Sequence, residues 1–151
     1  MAEEVYLNSQ DIDIQQFVPD EVFENIDAAR EAIATLISFY GRKDSPLVFP
    51  IILNTGQNIG YVQAVPISIG WEVGYHIAKA YTSCGYATEA VQAFLLQIMP
   101  YLGITEICGI CHEDNIASYT VLEKCGFVLE FSGEAPYHEG IHPIRRYIYS
   151  T

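Results

Sequence analysis

The chain has 151 residues, 50% of them apolar and 17% charged, which suits one domain with a buried core and excludes a largely disordered segment. Seven Lys and Arg stand against 19 Asp and Glu, a formal charge of −12. That balance repels nucleic acid and anionic membrane surfaces and attracts cationic partners such as an amine or a basic peptide. No apolar run is long enough to span a bilayer. The opening MAEEVYLNSQ lacks the basic and apolar regions of a signal peptide. With no export signal, the four cysteines read as reduced thiols, and the expected location is cytoplasmic.

The acid is concentrated early. Residues 1–31 hold Glu3, Glu4, Asp11, Asp13, Asp20, Glu21, Glu24, Asp27 and Glu31 against the single base Arg30. The plain reading is a solvated helical face. Up to residue 26 the pattern is polar and weakly periodic, as in short helices and turns. A helix is then signalled by Ala29, Ile33, Leu36, Ile37 and Tyr40 on one stripe, with Asp27 as the expected N-cap and Gly41 as the stop. The apolar runs Leu47–Leu53 and Ile59–Val65 flank Asn54-Thr55-Gly56-Gln57-Asn58 and predict a hairpin. Trp71–Ala78 reads as a third strand. Gly85 opens a helix whose stripe is Ala87, Ala90, Val91, Phe94, Leu95 and Ile98, ended or kinked by Pro100. Ile104–Cys111 reads as a strand, Asn115 to Gly126 as a short capped helix, and Phe127–Phe131 and Ile144–Tyr149 as two last strands. This is an α/β chain, a single domain over residues 1–151, with one strand–helix–strand crossover at its centre.

Two tempting motifs fail on geometry. Cys108-Gly109-Ile110-Cys111-His112 has the spacing of haem attachment or of metal ligation. On a strand, however, residues three apart point to opposite faces, so both thiols cannot hold one ion. They read as small buried hydrophobes. His138-Glu139-Gly140-Ile141-His142 spells the zincin signature, whose chemistry needs a helix. Pro136, Gly140 and Pro143 deny one, and no Asp, Glu or His follows His142 as a third ligand. No metal is expected.

A third motif carries chemistry. Thr82-Ser83-Cys84-Gly85-Tyr86-Ala87-Thr88-Glu89-Ala90 follows a strand and opens a helix. A small-residue turn there leaves backbone N–H groups unpaired at the positive end of the helix dipole, a cradle suited to a pyrophosphate. Downstream stands Asn115-x-x-Ser118…Glu123-Lys124-Cys125-Gly126-Phe127. Together, in this order and spacing, the two segments resemble the GNAT superfamily of acyl-CoA N-acyltransferases, and within it the ribosomal-protein N-acetyltransferase (RimJ/RimL-like) branch. The resemblance covers about residues 28–149.

It implies a GNAT-like fold, a mixed twisted sheet whose strands Trp71–Ala78 and Ile104–Cys111 splay around acetyl-CoA as co-substrate. It also implies that the backbone of Ile77, Ala78 and Lys79 binds the pantetheine. Thr82, Ser83, Cys84, Gly85, Tyr86, Ala87 and Thr88 would take the pyrophosphate, and Asn115 would touch the cofactor. Thr82 stands where the family usually has Gln or Arg, so weaker phosphate binding is expected. Leu122 stands where many members have a Tyr acid, which leaves Ser118 as the partner of the leaving thiolate. The family's usual first strand, an Arg-Leu-x-Leu-Arg-type run, is not evident before residue 20. The hairpin would then present an open sheet edge, and a homodimer through that edge is expected.

The expected reaction is direct acetyl transfer from acetyl-CoA to a primary amine of a protein N-terminus or a small molecule. The alternative is a non-catalytic acyl-CoA-binding module on the same fold. Transfer needs a base, because an ammonium is no nucleophile. Glu72 is the candidate, sharing one strand face with Gly74 and His76 while Trp71, Val73, Tyr75 and Ile77 share the other. Tyr119 is a reserve acid. Cys84 is a small residue that fits the loop, since direct transfer needs no covalent intermediate.

Overall fold

The computed structural model describes all 151 residues. Three short elements come first: α1 (Ala2–Ser9), α2 (Ile12–Phe17) and a 3-10 turn, Pro19–Glu21. They match the short helices expected there. Helix α3 (Ile26–Ser38) follows, capped by Asn25 rather than Asp27, with the Asn25 side chain accepting the Ala28 N–H at 2.8 Å. Asp27 lies one residue inside the helix, where its charge suits the dipole. Of the expected α3 stripe only Ala29 is fully buried, and Ile37 and Tyr40 are exposed.

The strands are β1 (Leu47–Ile52), β2 (Asn58–Ile67), β3 (Gly70–Ile77), β4 (Glu106–His112), β5 (Val128–Pro136) and β6 (Ile141–Ser150). They form one six-stranded sheet in the order β1-β2-β3-β4-β6-β5. Every neighbouring pair is antiparallel except β3 and β4, which are parallel and joined across α4 (Tyr86–Leu102). The expected crossover is therefore present at the centre of the sheet. Strand β1 is an edge, and no strand precedes Leu47.

Helix α4 buries Val91, Phe94, Leu95, Ile98 and Met99 against Val62, Ala64 and Val73 of the sheet. It runs through Pro100 to Leu102. The proline costs only one donor near the helix end, where the exposed Leu96 leaves its carbonyl open to water. Gly103, at φ 69°, closes the helix in the left-handed conformation. Helix α5 (Ile116–Lys124) adds Leu122 to the same core, with its isobutyl group filling the space a Cβ would take at Gly109. The opposite face of the sheet is covered by the N-terminal elements, with α1 against β2 and α3.

Strands β3 and β4 lie within two residues of expectation, whereas the last two strands are longer than expected. Strands β5 and β6 extend to Pro136 and back from Ile141, so the Gly/Pro/His loop shrinks to a tight turn. His138 at φ 50° and Gly140 at φ 87° make that turn, and Tyr137 N–H donates to Gly140 O at 3.1 Å. The zincin-like motif therefore lies on a hairpin. Cys108 and Cys111 lie on β4, both buried, as small apolar residues.

Gly60 is the tightest point of the sheet, because a Cβ there would stand 1.9 Å from the His76 carbonyl oxygen. Backbone cannot yield cheaply at that distance. Gly60→Ala is expected to destabilise the fold by about 2 kcal/mol or more. Urea unfolding would measure it, and a loss under about 0.5 kcal/mol would show that β2 and β3 can part without cost.

Candidate active site

The parallel pair β3–β4 is joined by one bridge, Glu72 to Cys108. Beyond it the strands diverge. Residues of β3 alternate in direction, and Ala78 N–H is spent on Ile59 O at 2.7 Å, toward β2. Tyr75 and Ile77, of the opposite parity, therefore aim their N–H and C=O groups at the gap beside β4. That gap opens into a cavity of about 1290 Å³.

At one end of the cavity lies the turn before α4. Ser83 at φ 62° and Gly85 at φ 83° curl the backbone. The N–H groups of Ser83, Cys84, Gly85, Tyr86, Ala87 and Thr88 find no partner within the chain, and Glu89 N–H is the first to bond, to Gly85 O. They form a positive concavity at the start of a 17-residue helix. A Cβ on Gly85 would meet nothing within 4 Å, so its positive φ rather than crowding selects glycine. Thr82 Oγ1 turns back to Lys79 O.

The expected residues gather with three exceptions. Glu72, Ile77, Thr82, Ser83, Gly85, Tyr86, Ala87, Thr88, Asn115 and Ser118 all border the cavity, whereas Ala78, Lys79 and Cys84 do not. Ala78 N–H faces β2, and Lys79 N–H donates to Asp11 Oδ2 at 2.9 Å. Asn115 caps α5 by accepting Ser118 N–H at 3.2 Å. Tyr75 Oη donates to Ser118 O at 2.6 Å and stands 3.3 Å from Ser118 Oγ. The Ser118 hydroxyl is thus held beside the gap on the α4–α5 side of the sheet.

The other side has a different chemistry. Glu72, Gly74 and His76 share that face with their β2 partners Val65, Gln63 and Tyr61. Burial, and then the nearby charge of Glu21, push the half-buried Glu72 carboxyl from its ordinary 4.5 up to about 7. A carboxylate so tuned accepts a proton readily near neutrality. His76 is held below its ordinary value by burial, against the opposing pull of Asp11, whose Oδ2 is 3.3 Å from Nε2. Glu21, the last residue of the 3-10 turn, is bonded by the Tyr61 hydroxyl, and burial raises its pKa too. Tyr137, at the β5–β6 turn, also borders the cavity, and its neighbour His138 meets Asp20 at 3.1 Å.

Glu21, Asp11 and Tyr137 were not marked by the sequence reading. The acids were hidden in a run that resembles solvated surface. Tyr61 and Gln63 carried a usable signal, because the hairpin register places them opposite His76 and Gly74.

An acetyltransferase (GNAT) domain model matches residues 2–128, and the chain belongs to that family. The match reaches into the acidic N-terminal segment, which the motif resemblance had left outside. The chain is 28% identical over 127 residues to the uncharacterized N-acetyltransferase YnaD of Bacillus subtilis (strain 168), covering 81% of this chain and 70% of that protein. Among solved structures, the microcin C7 self-immunity acetyltransferase MccE superposes with a TM-score of 0.84 at 21% identity, over 99% of this chain and 87% of that one. The ribosomal L7/L12 alpha-N-protein acetyltransferase RimL superposes with a TM-score of 0.79 at 20% identity, over 99% and 85% of the two chains. The expected likeness to the ribosomal-protein branch is present in the fold.

Glu72 also leaves a mark on stability. A raised carboxyl pKa means the folded chain binds the proton more tightly than the unfolded chain. That contribution is complete below pH 4.5 and is lost as pH rises through about 7. Glu72→Gln removes the titration. It is expected to raise stability by roughly 1–2 kcal/mol above pH 7, or ~3–6 °C in Tm, with the advantage fading toward pH 4.5. A Tm–pH series on both proteins tests this, and parallel curves would mean that Glu72 is freely solvated.

Proposed function

We propose that this protein transfers the acetyl group of acetyl-CoA to a primary amine by direct attack in a ternary complex. The observation that carries this reading is the continuity of the gap. Free backbone groups of Tyr75 and Ile77 lead straight to the unpaired amides of Ser83 to Thr88, with a proton-accepting carboxylate on the facing side. The first suit a pantetheine arm and the second a pyrophosphate. Two fold neighbours support the choice of donor, since MccE was solved with acetyl-CoA and AMP and RimL with coenzyme A.

The protons balance as follows. The acceptor arrives as R–NH3⁺ and gives one proton to Glu72. The neutral nitrogen attacks the thioester carbon, forming the C–N bond, and the oxygen that gains charge meets a backbone N–H of the splayed strand near Ile77. The tetrahedral species collapses, the C–S bond breaks, and the second nitrogen proton passes to the sulfur. Ser118, oriented through Tyr75, supplies the hydrogen bond that the thiolate needs. Glu72 then returns its proton to solvent. Asp11 holds the Lys79 N–H that the pantetheine reading assigns to the cofactor, so Ile77 and Tyr75 carry the strand's share of binding. The acceptor is either a protein N-terminus or a small amine.

The test is release of free thiol from acetyl-CoA with a panel of amines. Glu72→Gln is expected to lower the rate at pH 7 by about 10²–10⁴-fold, with acetyl-CoA affinity intact and partial recovery at higher pH. Ser118→Ala is expected to slow transfer without that recovery. Gly85→Asp puts a carboxylate in the amide cradle and is expected to abolish coenzyme A binding by calorimetry. Tight cofactor binding with no turnover on any amine would instead identify an acyl-CoA-binding module.

A further inference from the structure

The acceptor side of the cavity holds a second carboxylate that the chemistry above leaves unused. Glu21 does not belong to the sheet. The 3-10 turn carries it over the sheet, where the Tyr61 hydroxyl bonds its carboxylate and the Gln63 amide lies beside it. Tyr61 and Gln63 pair with His76 and Gly74, so they stand on the same face as Glu72. A Cβ on Gly74 would fall 2.8 Å from Gln63 Nε2, so the Gln63 side chain lies over Gly74, between the positions of Glu72 and His76. Glu21 and Glu72 border one cavity, and each is half-buried.

Neither carboxylate forms an ion pair, and the one positive influence on Glu21 comes from His138, which Asp20 holds at 3.1 Å. The nearby acids Asp11 and Asp20 face His76 and His138, and Asp13 adds charge of the same sign near His76. Lys124 is the one Lys or Arg that borders the cavity, and it ends α5 on the opposite side of the sheet. Two carboxylates drawn out of water with no Lys or Arg between them are costly to both. An acceptor with one ammonium answers Glu72 alone.

We propose that Glu21 is a specificity-determining residue that receives a second positive charge on the acceptor, so that the preferred acceptors are small diamines. One amine stands against Glu72 and is acetylated. The other stays an ammonium against Glu21, held in place by Tyr61. This rests on the acetyl-transfer reading of the same cavity.

The experiment compares kcat/KM for 1,4-diaminobutane and 1,5-diaminopentane with butylamine and pentylamine of matched length. A charge-assisted contact predicts a diamine preference of about 10–100-fold. Glu21→Gln is expected to lower the diamine-to-monoamine ratio about tenfold or more. Tyr61→Phe, which only loosens Glu21, is expected to lower it less. A general structural defect would depress both amines and leave the ratio alone. Calorimetry of 1,4-diaminobutane with the coenzyme A complex at pH 7, run in two buffers of different ionisation enthalpy, is expected to show release of part of a proton as Glu72 ionises. A ratio near one in the parent protein, or a ratio unmoved by Glu21→Gln, overturns the proposal. If peptides or monoamines are acetylated without a diamine preference, this inference fails and the acetyl-transfer reading stands. If no amine is acetylated, that reading fails, and absence of diamine binding in the calorimeter overturns the charge recognition as well.

Discussion

The molecule is organised around a missing set of hydrogen bonds. Two parallel strands at the centre of a sheet would ordinarily be laddered along their length. Here β3 and β4 share one bridge and then diverge. Divergence exposes strand backbone in the interior, and such groups must be satisfied by something. The surrounding architecture follows from that requirement. Helix α4 connects the two strands and sets its unpaired first amides at the mouth of the gap. Helix α5 supports one lip through Ser118, and the N-terminal elements roof the other face.

The two sides of the gap are electrically unlike. The α4 end offers backbone N–H groups and a helix dipole, which favour an anion. The opposite face offers Glu72 and Glu21, which favour a cation or a shared proton. A reaction that joins an anionic, phosphate-bearing donor to a cationic amine is served by this asymmetry. The burial that raises the Glu72 pKa also costs the folded state stability at neutral pH.

The sequence was informative where local rules act. Periodicity placed α4, because a stripe from Val91 to Ile98 has one reading. Alternation along Trp71–Ile77 separated Glu72 from Tyr75 correctly, because strand period is fixed by geometry. The cradle was legible through Gly85, whose left-handed backbone is what a turn into a helix requires at that point. The rest depended on distant parts of the chain. Asp27 is a good cap by residue type, but so is Asn25 two residues earlier, and only the entry path of the chain decides between them. Glu21 was lost in an acidic run, because nothing local tells a carboxylate roofing a cavity from one in solvent. The family resemblance implies a cofactor contact for the Lys79 backbone, and no local signal reveals that an aspartate far upstream reaches its N–H.

The contacts that build the two sides differ in their span along the chain. The side that carries the amide turn is assembled from residues 75 to 118, with the Tyr75–Ser118 contact spanning 43 residues. The side that carries Glu72 is tied by Asp20 to His138, Asp11 to His76 and Glu21 to Tyr61, which close loops of 118, 65 and 40 residues. Long loops carry the larger entropy of closure, and non-local contacts form late. The face that carries Glu72 is thus held by contacts far apart in the chain, so a change near residue 11 or 20 reaches the same wall as one near residue 138.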